Sequence, residues 1–482
     1  MQKESINLIL NARKIILHPI IIFGPPGTGK TVTIVEAMLR ILKKEPHARI
    51  LACTPSNDAA DLICLRLIEI KKLSDSKENL HFFSKMRMCR LLAIMRDPKS
   101  VPEEVKYHCN VKRDNGVFVL PTNEEIHSSK IIITTISSSG YLVYKGLNGD
   151  FTHIFVDEAG EATVPEIMIP LSLKSENTSI ILAGDPKQLG PIIRSPVALE
   201  YGLDVSLIER LIHERLQGLN NENPSLLDML KVGIVHLVDN YRAHHKIMNI
   251  YSEIFYEGRL NSKVDENELF KWDMLNNPNT PVLFKHINGL EKRDQDSPSW
   301  YNDSEIDHVK EITLDLVRKN LASPKDIGII TPYRKQCDKI KRLFYGMNFG
   351  FKDIKIGTTE LFQGDERKVI ILSCVRSQTK YLGYDRKFNL GFVSNPKRIN
   401  VAISRAKSLL IILGNAELLS TDEWFMKILK KIYEMNCYDG PDLDFSVGSN
   451  EERNEEEKEE KEKEEEKCDE YEDKEWKDMD AL

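Results

Sequence analysis

Residues 20 to 38, IIIFGPPGTGKTVTIVEAM, leave the chain few ways to fold. The β-branched run Ile20, Ile21, Ile22, closed by Phe23, predicts a buried strand, and apolar positions from Val32 to Leu42 recur at helical spacing on one side. Between them Gly24, Pro25, Pro26, Gly27, Thr28, Gly29, Lys30 and Thr31 spell G-x-x-x-x-G-K-[ST]. Glycines allow successive N–H groups to turn inward around phosphate oxygens, and the following helix adds its positive end. Lys30 reaches the β and γ phosphates, and the Thr31 hydroxyl can ligate Mg²⁺. The stretch predicts a nucleotide cradle.

Further along, short apolar runs alternate with helical patterns, as a parallel sheet requires. RILACT (49 to 54), KIIITT (130 to 135), HIFVDEA (153 to 159) and SIILAGD (179 to 185) each end in polar residues, where an open α/β sheet presents its ligand groups. A second series, GIVHLVDNY (233 to 241), DIGIITPY (326 to 333), IKIGTT (354 to 359), KVIILSC (368 to 374) and SLLIILGN (408 to 415), repeats the arrangement without a phosphate loop. The expected architecture is two tandem α/β parallel-sheet domains, residues 1–235 and 236–440, the second closing over nucleotide held by the first. Residues 71–129 break the rhythm and predict a subdomain inserted in the first. Within it HFFSKMRMCRLL (81 to 92) mixes Phe82 and Phe83 with Lys85, Arg87 and Arg90. It reads either as a stacking-and-phosphate surface or as an amphipathic helix packing its aromatics on the core.

Asp157 and Glu158 follow HIFV, so the sheet should deliver them beside the phosphate loop. There Asp157 can hold Mg²⁺ and Glu158 can orient and deprotonate water. Phosphoryl transfer also needs positive charge as the γ-phosphate departs. Arg242 in DNYRAHH and Arg405 in NVAISRAK are candidates for fingers supplied in cis, although either alone is more often a surface ion-pair arginine.

The formal charge of −7 is set by the end of the chain: residues 451 to 482 hold 18 acidic and 7 basic residues, a net −11, which leaves +4 on residues 1 to 450. The body therefore permits a polyanionic partner, and residues 441–482 are expected to form a disordered acidic tail. The eight cysteines include no C-x-x-C pair and read as packed free thiols. No apolar run reaches membrane-spanning length and no cleavable signal opens the chain, so a soluble intracellular protein without membrane partners is expected.

Taken together, GPPGTGKT, TPSNDAAD, VDEAGE, GDPKQLGP, NYRAH, TPYRKQ, ELFQGDERKVII and NVAISRAK occur in the order and spacing of superfamily 1 helicase motifs. The chain resembles the up-frameshift-like RNA helicases, and most nearly the branch of Armitage and the Moloney leukaemia virus 10 homologue. CTPSNDAADLICLRL, SPSWYN and LGFVSNPKRINVAISRAKSLLIILGN carry that closer likeness. The resemblance covers about residues 1 to 440. It implies two RecA-like domains, ATP with Mg²⁺, and 5′ to 3′ translocation and unwinding on single-stranded RNA. It also implies silencing-complex proteins as partners and a cytoplasmic place in ribonucleoprotein granules. The same motifs fit a nucleotide-switched RNA-binding scaffold with weak unwinding, or a DNA helicase.

By position in the motifs, Gln2 corresponds to the adenine-reading glutamine and Tyr241 to the aromatic beside the base. Gln188, Arg242 and Arg405 would sense the γ-phosphate, and Glu366 would meet the nucleotide from the second domain. Thr54, Ser56, Asn57, Thr134, Thr135, Thr331, Thr358 and Thr359 would line the RNA groove, where short hydroxyls and amides bind phosphate and 2′-OH without reading base sequence. One motif residue departs from the family: the position after DEAG is commonly glutamine or histidine and here is Glu161. The chain also starts at the adenine-reading segment, so the barrel and stalk that precede it in the family are expected to be missing.

Overall fold

Ile20–Phe23 forms β1 with all four residues buried, the pattern of a strand covered on both faces. Its neighbours complete a seven-stranded sheet: β2 (Ile50–Thr54), β3 (Met88–Arg90), β4 (Ile131–Thr135), β5 (His153–Val156), β6 (Ser179–Gly184) and β7 (Ile234–His236), in the order β3-β4-β2-β5-β6-β1-β7. Every pairing in it is parallel. In this computed structural model the described residues are 1–11, 19–73, 82–83, 86–110, 118–219, 224–265, 270–294, 297, 299–347, 350–378, 391–392, 395–443 and 445.

Two short ladders follow, β8 (Asp239–Asn240) with β9 (Asn261–Ser262), and β11 (Glu291–Arg293) with β12 (Trp300–Asn302). The second large sheet has six strands: β10 (Val282–His286), β13 (Ile327–Ile330), β14 (Lys355–Gly357), β15 (Arg367–Ser373), β16 (Ala406–Gly414) and β17 (Tyr438–Asp439), in the order β14-β13-β15-β16-β10-β17 and again parallel. Both sheets belong to one compact unit, Met1–Asp439. The expected acidic tail falls almost wholly on residues outside those described. Among the described residues no helix is long and apolar enough to cross a membrane.

The sheets correct the sequence reading in two places. GIVHLVDNY was expected to open the second series, yet β7 pairs with β1 and belongs to the first sheet. The second sheet instead draws β10 from Val282–His286, which pairs with β16 and which a short apolar run beside Lys285 and His286 does not announce. Strand rhythm says where strands are; long-range pairing decides which sheet receives them. The segment 71–129 is also less separate than expected, because its β3 adds to the edge of the first sheet beside β4. Phe83 is buried and Phe82 packs against the same core, with the Lys43 ammonium over the Phe82 ring, so these aromatics serve packing.

Arg90, fully buried at the end of β3, donates from Nε to Asp61 Oδ1 at 2.8 Å, and Arg96 donates to Asp61 Oδ2 at 2.6 Å. One carboxylate thus bridges two guanidinium groups across the insertion boundary. Asp61→Ala leaves a buried charge uncompensated and is expected to lower stability by about 3–5 kcal/mol, measured by urea unfolding.

Candidate nucleotide site

The strand-to-helix turn after β1 is shaped by two left-handed glycines, Gly27 (φ 71°) and Gly29 (φ 75°), a conformation that side chains resist. Space is closed there as well. A Cβ on Gly27 would lie 2.6 Å from the Arg242 Cβ, and one on Gly29 would lie 2.7 Å from Gln2 Nε2. The helix Lys30–Lys44 then starts at the lysine itself, with Ile34, Val35, Met38, Ile41 and Leu42 buried along one side.

Asp157 and Glu158 arrive at the carboxyl end of β5, as the sequence predicted. Thr31 Oγ1 donates to Asp157 Oδ2 at 2.9 Å, so two hard oxygen donors stand together, the chemistry that suits a magnesium ion. Burial pushes the Asp157 carboxyl up to about 6, with the neighbouring Glu158 adding to the rise against the pull of Lys30. Glu158 sits at φ 53°, a left-handed conformation rare outside glycine, and its Oε2 meets Lys30 Nζ at 2.5 Å. Although burial opposes the Lys30 charge, Glu158 and Asp157 outweigh it and hold the ammonium at about 12.

These groups face a cleft of about 980 Å³. One wall carries Gly24 to Thr31, Asp157, Glu158, Glu161 and Gln188; the other carries Gln363 to Glu366, Arg405 and Lys407, with Tyr241 and Arg242 between them. The contribution of the second sheet comes from its amino-terminal edge, since Asp365 and Glu366 precede β15 and Arg405 precedes β16.

Neither arginine is an isolated surface group. Arg405 is buried and donates from its guanidinium to Gln188 Oε1 at 2.8 Å, tying the second sheet to the first. Burial, reinforced by the charge of Arg242, lowers it to about 10. Arg242 donates to Glu366 and, at 3.3 Å, to the Ser404 carbonyl. Glu366 also meets Lys407 Nζ at 2.6 Å; burial pushes its carboxyl up, but Arg242 and Lys407 prevail and hold it below the usual range. Tyr241 is 54% exposed on the cleft, and its N–H donates to the Gly27 carbonyl. Gln2 is placed against the phosphate loop, donating to the Thr28 carbonyl at 2.9 Å.

Asn240 in NYRAH and Asp185 in GDPKQLGP, to which the motifs alone assign no role, also shape the site. Asn240 is buried, donates to the Pro26 carbonyl at 2.6 Å, and accepts from the N–H groups of Arg242 and Ala243, so it fixes the chain carrying Arg242 to the phosphate loop. Asp185 accepts from Gln188 Nε2 at 2.6 Å and so aims Gln188 toward Arg405. Their positions beside Tyr241 and three residues before Gln188 were the available signals.

Comparison with known proteins fits this geometry. Family models described as AAA domains match residues 1–116 and 112–196, and residues 203–417. The Danio rerio protein named as helicase mov-10-B.2 is 42% identical over 88% of this chain and 42% of its own length. RNA helicase Mov10l1 of Mus musculus is 43% identical over 88% of the chain and 35% of its own, and the Drosophila melanogaster protein named as RNA helicase armi is 34% identical over 88% and 37%. The chain belongs to the up-frameshift-like helicases of superfamily 1. Within that family its relatives lie in the MOV-10 and Armitage branch, and it spans about two fifths of the length of these curated relatives.

The eight positions that the family would place along a nucleic-acid groove divide by exposure. Ser56 and Asn57 are exposed at the start of the helix Asn57–Lys72, where Ser56 Oγ caps the Ala59 N–H and Asn57 Oδ1 accepts from Arg90. Thr135 and Thr358 are half-buried, the former bonded to Ser138 Oγ. Thr54, Thr134, Thr331 and Thr359 are closed off from solvent in this conformation. Two of these hydroxyls are engaged internally, Thr54 with the Ser56 carbonyl and Thr134 with the Leu91 carbonyl. Those of Thr331 and Thr359 find no hydrogen-bond partner among the described residues.

Glu161, the departure from the family pattern, is half-buried in the cleft wall. Burial, then the charge of Glu158, pushes its carboxyl up to about 8 from 4.5. A raised carboxyl binds its proton more tightly folded than unfolded, so its contribution to stability falls as pH rises from about 4.5 to about 8 and is flat outside that window. Glu161→Gln removes the penalty. Its thermal midpoint relative to the unaltered protein is expected to be higher at pH 8.5 than at pH 5 by about 2 °C or more, read by paired melts without nucleotide.

Proposed function

We propose that this chain is an ATP-driven RNA helicase or translocase that moves 5′ to 3′ on single-stranded RNA and works in small-RNA-mediated gene silencing. The observation that carries this reading is the convergence of Lys30 on one wall, Arg405 on the other and Arg242 between them upon a single cleft between two parallel sheets. A triphosphate entering it competes with Glu158 for Lys30, and the released carboxylate becomes available to orient and deprotonate water. Thr31 and Asp157 would hold magnesium, which, when bound, neutralises charge on the phosphate oxygens. The two guanidinium groups answer charge on the departing γ-phosphate. Because both walls share that one group, its loss on hydrolysis lets the sheets part, and alternating grip on RNA converts each cycle into a step.

The names of the relatives support RNA as the track, and the two orphaned hydroxyls of Thr331 and Thr359 are groups a bound strand could satisfy after a small opening. Silencing-complex proteins as partners and a place in cytoplasmic ribonucleoprotein granules belong to the same proposal. The test is ATP hydrolysis with and without single-stranded RNA, run beside displacement of a labelled strand from duplexes carrying a 5′ or a 3′ overhang. Stimulation by RNA and displacement only from the 5′ overhang is the expected result. Stimulation without displacement would replace the motor by a nucleotide-switched scaffold, and stronger stimulation by DNA would make the track DNA.

A further inference from the structure

Tyr256, at the end of the helix His245–Phe255, is 2% exposed yet buries a hydroxyl. That hydroxyl is used in both senses: it donates to Asp185 Oδ2 at 2.7 Å and accepts from Asn400 Nδ2 at 2.7 Å. Asp185 follows β6 of the first sheet. Asn400, fully buried, stands on the helix Pro396–Ile403, which runs directly into Arg405 ahead of β16 of the second sheet, and its Nδ2 also reaches the Lys187 carbonyl at 2.8 Å. The ring is seated between Phe23, with centroids 6.3 Å apart, and Tyr251, at 6.5 Å edge-on.

Asp185 therefore has two connections to the same short stretch of the second sheet. One runs through Gln188 to the Arg405 guanidinium, and the other through Tyr256 to Asn400, five residues earlier. The first holds the tip of the arginine, and the second holds the helix from which it springs. A buried polar ring of this kind fixes one arrangement, because any shift of the helix leaves a desolvated hydroxyl, amide or carboxylate unpaired. We infer that Tyr256 and Asn400 are positioning residues that set the Arg405 guanidinium against the nucleotide by locking its helix to the end of β6. The inference rests on Arg405 acting on the γ-phosphate.

The experiment compares Tyr256→Phe and Asn400→Ala, alone and combined with Arg405→Ala, in ATP hydrolysis with RNA present. Tyr256→Phe removes one oxygen and keeps the ring, while Asp185 retains the Gln188 amide and the Lys187 N–H, at 2.9 Å, as donors. Binding of a fluorescent ADP reports that each variant is folded. Each single variant is expected to lower kcat about tenfold with KM for ATP within twofold, and neither is expected to lower kcat further once Arg405 is alanine. A merely structural lesion would lower kcat by the same factor in both backgrounds, and that result overturns the inference. Full kcat in both single variants, beside an active parent chain, overturns it as well while leaving the functional reading intact. A parent chain that hydrolyses no ATP at all removes the functional reading and this inference together.

Discussion

Arg405→Ala is expected to lower ATP turnover by about 10³-fold, the lower end of what arginine fingers contribute. That is about 4 kcal/mol of transition-state stabilisation. The argument is positional: the guanidinium is buried, faces the cleft that holds the phosphate loop, and is held by Gln188 from the first sheet. A preorganised cation in such a place acts where charge develops and needs little rearrangement at the moment of reaction. Arg405→Lys should recover little, because a lysine lacks the planar fork that bonds Gln188 and the Val401 carbonyl, at 3.0 Å, together. Steady-state hydrolysis of the three proteins at saturating RNA is the measurement.

Glu158→Gln should be nearly as damaging in rate and far less so in binding. The amide has the shape of the carboxylate but cannot take a proton from water, and loss of a positioned base costs about 10²–10⁴-fold. Nucleotide contacts come mainly from the loop Gly24 to Thr31, which the substitution leaves in place. Single-turnover hydrolysis is therefore expected to fall by at least about 10²-fold while ATP affinity changes little. The glutamine also weakens the tie to Lys30, freeing the ammonium for phosphate. Unchanged hydrolysis would remove Glu158 from the chemistry.

What the sequence made legible was local. The phosphate loop, its strand and helix, and the Asp157–Glu158 pair at a strand end follow from residues within a few positions of one another, and the structure brings all of them to one cleft. The arginines were readable as candidates because their motifs stand in order, but not as buried groups bonded across the cleft. Features that depend on distant pairing stayed hidden. Among these are the membership of β7 in the first sheet and β10 as a strand of the second. The left-handed backbone of Glu158 carries no local signature, since nothing in VDEAGE demands it. Small hydroxyl residues at strand ends face inward or outward with equal ease, so motif position alone does not announce that Thr54 and Thr134 are enclosed.

The central claim is that one γ-phosphate is shared by the two walls. It is tested most directly by measuring how tightly a non-hydrolysable ATP analogue and ADP bind the unaltered protein, Arg242→Ala and Arg405→Ala. Loss of a charged hydrogen bond to the γ-phosphate predicts analogue affinity lower by about tenfold or more in each variant, with ADP affinity within about twofold. Equal losses for both nucleotides, or none for either, would contradict it.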